Sequence, residues 1–307
     1  MWLMLAFVSA SLLGLYDTSK KAALKDNAVL PVLLLNTVFS TLIFSPFIID
    51  SLSGQGWFTG TMLDASPYIG GSGGGTMLHA HAAVMIKSVI VLTSWIFGYF
   101  GLKHLPITIV GPINATRPVM VLVGAMLIFG ERLNWCQWTG VVFSVISLFM
   151  LSRSSKKESV DFTHNRWILF VAIAAVVGAV SGLYDKYIMK ELSPMFVQGW
   201  YNFYQMILMA VIVAILWYPN RKHTTPFRWS WAIPLISVFI SAADFSYLTA
   251  LNQPDSMISV VSLVRRGSVL VSFICGVLIF HERNLKAKAL DLALILIGMV
   301  FIYFGSR

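Results

Sequence analysis

Charge is what this sequence has little of. Only 11% of its 307 residues are Asp, Glu, Lys or Arg, against 57% hydrophobic residues and a mean hydropathy of +0.78. A water-soluble fold of this size would lack the polar surface to cover itself, which excludes a soluble binding protein or scaffold. Cysteine is also scarce. Cys136 and Cys275 both fall in or beside apolar stretches, with no histidine or second cysteine at metal-ligand spacing, so they read as packing residues and imply no metal. No His-Glu-x-x-His occurs and the carboxylates form no acid–base pair at recognisable spacing, which counts against a membrane-embedded enzyme. No cofactor is implied. Acidic residues are the scarcer sign, giving a net charge of +9. The basic residues sit mostly in short segments between apolar blocks rather than along one face, which fits membrane-flanking charge and not a nucleic-acid partner.

What is abundant is long apolar runs. Crossing about 30 Å of hydrocarbon takes roughly 20 helical residues. Blocks of that size occupy residues 2–25, 30–49, 82–102, 106–129 and 135–151, and after a polar stretch at 152–166 they recur at 167–190, 194–217, 231–251, 255–280 and 287–304. Block length favours helices over barrel strands, which would be about ten residues with strict alternation. The first block has a small-residue site at Ser9-Ala10-Ser11 but no basic residue before it, and it has a counterpart inside the chain, so it reads as a retained helix. The expected fold is all-α, with about ten transmembrane helices.

The blocks form two related sets of five. Gly14-Leu15-Tyr16-Asp17 in the first recurs as Gly182-Leu183-Tyr184-Asp185 in the sixth, 168 residues on. Leu127-Ile128-Phe129-Gly130-Glu131-Arg132 ends the fourth, and Leu278-Ile279-Phe280-His281-Glu282-Arg283 ends the ninth, 151 residues on. The shortfall of 17 residues makes the first half the longer one, with residues 50–81 as the surplus. Five spans per half, an odd number, predict an inverted repeat. The domains read as residues 1–151, a polar linker at 152–166, and residues 167–307.

The surplus segment holds Gly70-Gly71-Ser72-Gly73-Gly74-Gly75, a formal match to a serine-hydrolase elbow. Without a strand before it and a helix after it, the run reads as a flexible linker. His79 and His81 read as solvated loop residues.

Ten helices in two five-helix repeats, with Gly130-Glu131-Arg132-Leu133 and His281-Glu282-Arg283-Asn284 closing the fourth helix of each, resemble the EamA-type members of the drug/metabolite transporter superfamily. The resemblance covers nearly the whole chain. It implies export or exchange of a small metabolite by alternating access through a central cavity, in the cell (inner) membrane. The long glycine-rich segment between the second and third spans departs from that pattern. A channel is the competing reading, and it would not require an inverted repeat with central charges.

Ionisable residues inside a hydrocarbon-spanning helix are costly and therefore mark function or structural ion pairs. Asp244, Arg117 and Arg265 lie near mid-span, and the two arginines correspond when Pro106 and Pro254 are aligned, both pairs being 148 residues apart. Guanidinium forks suit an anionic or zwitterionic small-molecule substrate, and Asp244 suits proton uptake or an arginine partner. Asp17 and Asp185 are further cavity candidates, against snorkelling towards Lys20, Lys21 and Lys186. Tyr16 and Tyr184 either bond substrate or sit as interfacial aromatics. Trp200, Tyr201, Asn202, Tyr204 and Gln205 form an aromatic and amide cluster in the seventh span, with Tyr201 and Asn202 as cavity candidates. Ala10-x-x-x-Gly14 and Gly178-x-x-x-Gly182 mark close helix packing.

Fourteen Lys and Arg fall on the side of the odd-numbered connections and five on the other. By the positive-inside rule both termini lie outside the cytoplasm, opposite to the usual depiction of the resembled family. A reporter fused after Arg307 distinguishes the two.

Overall fold

The computed structural model describes residues 1–24, 27–61, 63–69, 76–104, 113, 116–153, 166–222, 224–268, 270–271, 274–275 and 285–305. Among them lie ten α-helices: α1 (Trp2–Leu24), α2 (Val29–Ser53), α3 (Met77–His104), α4 (Arg117–Phe129), α5 (Trp135–Arg153), α6 (Arg166–Ile188), α7 (Pro194–Ile212), α8 (Ala232–Asn252), α9 (Ile258–Arg265) and α10 (Leu285–Gly305). Six, namely α1, α2, α3, α6, α7 with its extension to Trp217, and α8, are long and apolar enough to cross a membrane. Their ends follow local chemistry. Gly54 and Gly130 take left-handed φ angles of 64° and 65° and stop α2 and α4, positions where a side chain would be strained. Ser193 caps α7, its Oγ accepting from the Phe196 N–H, with Pro194 next in the first turn. At its far end α7 widens into a π-helical turn over Val213–Trp217.

The two halves interlock. α1 packs against α8 and α3 against α6, while α2 meets α7, α4 meets α9 and α5 meets α10. Exchanging each helix with its repeat counterpart turns the first pair into the second and leaves the other three pairs unchanged, as a twofold relation requires. A serine bond laces each of the two exchanged pairs, though from opposite members: Ser9 Oγ of α1 donates to the Ala243 carbonyl at 2.7 Å, and Ser94 Oγ of α3, the counterpart of α8, to the Ala174 carbonyl at 2.8 Å.

One face is fastened by polar contacts. Glu131, from the turn after α4, accepts from the N–H groups of Ile258 and Ser259 and from the Ser259 hydroxyl, capping α9. Lys186 Nζ donates to the Leu251 and Ser256 carbonyls at 3.2 and 2.7 Å, closing the end of α8. The connection between α2 and α3 is shorter than the sequence suggests, because α2 continues to Ser53 and α3 starts at Met77. Its described part is folded against the α6–α7 turn. Ile69 N–H donates to the Glu191 carbonyl, Ser193 N–H to the Pro67 carbonyl (both 3.1 Å) and Ser193 Oγ to the Ser66 carbonyl at 2.5 Å, with Ala65 and Tyr68 buried beneath. The glycine run 70–75 lies outside the described residues, as does the His281-Glu282-Arg283 turn. His79 and His81 are not loop residues. They occupy the first turns of α3, and His81 sits among Phe196, Trp200 and Tyr204 of α7, its Nδ1 3.0 Å from the Tyr204 hydroxyl.

Candidate functional site

A cavity of about 270 Å³ lies between the halves. α1 contributes Leu13 and Tyr16, α3 Lys87, Val91 and Trp95, α4 Arg117 and Val121, and α6 Gly178, Ser181, Gly182 and Asp185. α7 adds Gln198 and Tyr201, α8 adds Asp244 and Tyr247, and the α9 end adds Ser262, Arg265 and Arg266. Charge is therefore concentrated at mid-bundle in a chain that has little of it. Two ion pairs bridge the wall. Lys87 of α3 pairs with Asp185 of α6, both side chains under 10% exposed, and Lys87 also lies over the Tyr201 ring. Arg265 Nη2 donates to Asp244 Oδ1 at 2.7 Å, and its guanidinium stacks over Tyr247 at 4.1 Å.

Arg117 uses its charge differently. Its Nη2 donates to the Gly178 carbonyl at 2.7 Å, and the guanidinium crosses Gly178 so closely that a methyl group there would collide with it. Gly178 thus admits a side chain rather than the neighbouring helix that the small-residue spacing suggested. Gly14 does serve close packing, since a methyl there would strike Val271 and the Ser268 carbonyl. Among the described residues, neither Arg117 nor Arg266 belongs to an ion pair. Gln198 Oε1 and Arg265 Nε are buried without a hydrogen-bond partner among the described residues, although both side chains line the cavity. Such groups are costly unless something else satisfies them.

The sequence candidates separate on this geometry. Arg117, Arg265, Asp244, Asp185, Tyr16 and Tyr201 meet at the cavity. Asp17 is exposed and outside its lining, and Lys20 lies over the Tyr16 ring instead. Tyr184 points away, donating to the Ala83 carbonyl at 3.1 Å beside Tyr187. Asn202 is buried but donates to the Gln198 carbonyl one turn back at 2.7 Å. Among the lining residues that the sequence reading does not single out are Lys87, Gln198, Tyr247 and Arg266. Lys87 had been counted as membrane-flanking charge, yet it lies ten residues inside α3 and is buried, as is Lys186. Removing both from the tally deepens the asymmetry of basic residues between the two faces.

These features define an integral, multi-pass helical membrane protein with a charged cavity between two pseudo-equivalent halves. The chain belongs to the EamA-like transporter family, whose profile matches it twice, over residues 1–153 and 165–304. It is 25% identical over 136 residues to solute carrier family 35 member F2 of Xenopus tropicalis, a match covering 43% of this chain and only about a third (34%) of that protein. A solved crystal structure superposes with a TM-score of 0.68, covering 98% of this chain and 94% of its own at 17% identity, which shows the fold alone.

Proposed function

We propose that this chain is a secondary transporter of the cell (inner) membrane, exporting or exchanging a small anionic or zwitterionic metabolite by alternating access through the central cavity. One observation carries the reading: the lining holds four cations, Lys87, Arg117, Arg265 and Arg266, against two carboxylates, Asp185 and Asp244. Within the lining two positive charges exceed the carboxylates, with Asp17 acting on Arg266 from outside it, and in a low-dielectric setting an anion repays part of their desolvation. The volume of about 270 Å³ lies near the lower end for ligand pockets and suits a compact solute. Gln198 Oε1 offers an acceptor for a hydroxyl or ammonium group on the same molecule.

Asp244 supports proton coupling. Protonating it would break its bond to Arg265 and free that guanidinium for substrate, so that proton and anion bind in linked fashion. The test is uptake into proteoliposomes loaded with a panel of carboxylates and amino acids. A carrier gives saturable uptake and trans-stimulated counterflow, whereas a channel gives neither. Asp244→Asn is expected to retain counterflow and lose acceleration by a proton gradient. Unchanged proton-driven uptake in that variant sinks the coupling, and absence of counterflow across the panel sinks the carrier.

A further inference from the structure

A second cavity, of about 660 Å³, opens between the start of α2, the middle of α3 and the widened end of α7. Leu33, Ile96, Met209 and Leu216 form its apolar walls, and Asn220 and Thr224 stand at its mouth. The π-helical turn ends at Trp217, which lines this cavity and whose indole N–H is buried without a hydrogen-bond partner among the described residues. A soluble metabolite has little use for such a trough.

Basic residues outside the lining flank this end of the cavity in the chain, Lys25 beside Asp26 before Asn27 and three more after Asn220. Arg221 and Lys222 follow Asn220 directly, and Arg221 stacks over Tyr218 at 4.3 Å. Arg228 is held from the other side, because the Asn27 side chain, itself at the mouth, donates to the Arg228 carbonyl at 2.6 Å and accepts from its N–H at 2.8 Å. The segment 218–231 contains no Asp or Glu. Trp229 and Trp231 are exposed beside it, as aromatics at a membrane–water boundary are. A mainly apolar trough with exposed tryptophans and an excess of basic residues in the adjoining segment suits one molecule, which the bilayer itself supplies.

We propose that this trough binds an anionic phospholipid, one acyl chain lying along α2, α3 and α7 and the phosphate resting on Arg221 and Arg228. Trp95 lines both this trough and the central cavity, so the lipid chain abuts a wall of the charged cavity. Basic residues near a membrane surface discriminate for anionic lipid by about fivefold each.

The test uses the full chain purified in a non-ionic detergent and native mass spectrometry, with phosphatidylglycerol and phosphatidylcholine of identical chains supplied together. Wild type is expected to retain one phosphatidylglycerol in preference to phosphatidylcholine. Arg221→Gln with Arg228→Gln should remove that preference, and Leu33→Trp, filling the trough, should abolish retention of both. Equal retention of the two lipids by wild type overturns the proposal. So does undiminished binding to Leu33→Trp, or competition by glycerol phosphate without acyl chains as effective as by the intact lipid, which would make the mouth an anion site only. Should Leu33→Trp fail to fold, Ile96→Trp fills the same trough from the opposite wall, and the arginine variants decide independently.

Discussion

The same four residues, Gly-Leu-Tyr-Asp, have opposite fates in α1 and α6. In α6 the aspartate is buried and paired with Lys87, while the tyrosine points outward to the Ala83 carbonyl. In α1 the tyrosine is buried in the cavity wall and the aspartate is exposed. The glycines differ as well. Gly14 is pressed against Val271 and the Ser268 carbonyl, whereas nothing lies closer than 3.8 Å to the position a methyl at Gly182 would take. The cause lies in the partner helices. α3 brings a lysine to α6, but α8 brings α1 an aspartate, and that aspartate is taken by Arg265. A repeated motif thus records register between halves, and the unlike neighbours assign the roles.

The largest test of this contrast is Asp185→Asn against Asp17→Asn. Removing one partner of a buried pair strands Lys87, and a loss of about 3–5 kcal/mol is expected. Asp17→Asn should stay within about 0.5 kcal/mol, as an exposed substitution does. Combining Asp185→Leu with Lys87→Met should recover most of the loss in a thermal melt in detergent, because no stranded charge remains. Equal melting points for the two asparagine variants would erase the distinction.

A smaller effect separates the glycines. Gly14→Ala should destabilise by about 1–3 kcal/mol through overpacking, with Gly182→Ala near neutral. If Gly182→Ala proves the costlier in the same melts, the helices pack differently from the arrangement described.

Smallest is the expectation that the halves behave alike. Ser9→Ala and Ser94→Ala each remove one interhelical bond, and each should cost about 0.6 kcal/mol. A difference exceeding about 1 kcal/mol would show that the α1–α8 and α3–α6 seams are not equivalent.

Much of the architecture could be read from the chain because hydrocarbon thickness dictates block length, and the blocks are nearly free of charge. The intramembrane residues Arg117, Arg265 and Asp244 stand out for the same reason, whereas Asp185, near the end of its block beside Lys186, is equally readable as a residue snorkelling to an interface. Lys87 does not stand out, since the third apolar block begins at residue 82 and a lysine five residues in looks like a flanking charge. The helix begins at Met77, which buries that lysine mid-bundle. Gln198 and Tyr247 carry no sequence signal, because amides and phenols are common in membrane helices and only the facing helices show which ones line a void. Asp17 is the converse case: its motif marks it, but it stands outside the cavity lining, beside Lys20 and within electrostatic reach of Arg265 and Arg266.

The folded connection after α2 has a mechanical consequence. A molecule with true twofold symmetry opens towards either side at equal cost. Here residues 66–69 are tied to the α6–α7 turn by three hydrogen bonds, whereas the counterpart connection after α7 is tied to the α1–α2 turn by two, both between Asn27 and Arg228. At roughly 1 kcal/mol apiece, the difference of one bond amounts to about a fivefold inequality between the two fastenings. The two ends of the bundle are thus stitched by unlike means, backbone and hydroxyl groups at one and a single asparagine side chain at the other, at a distance from the cavity between them.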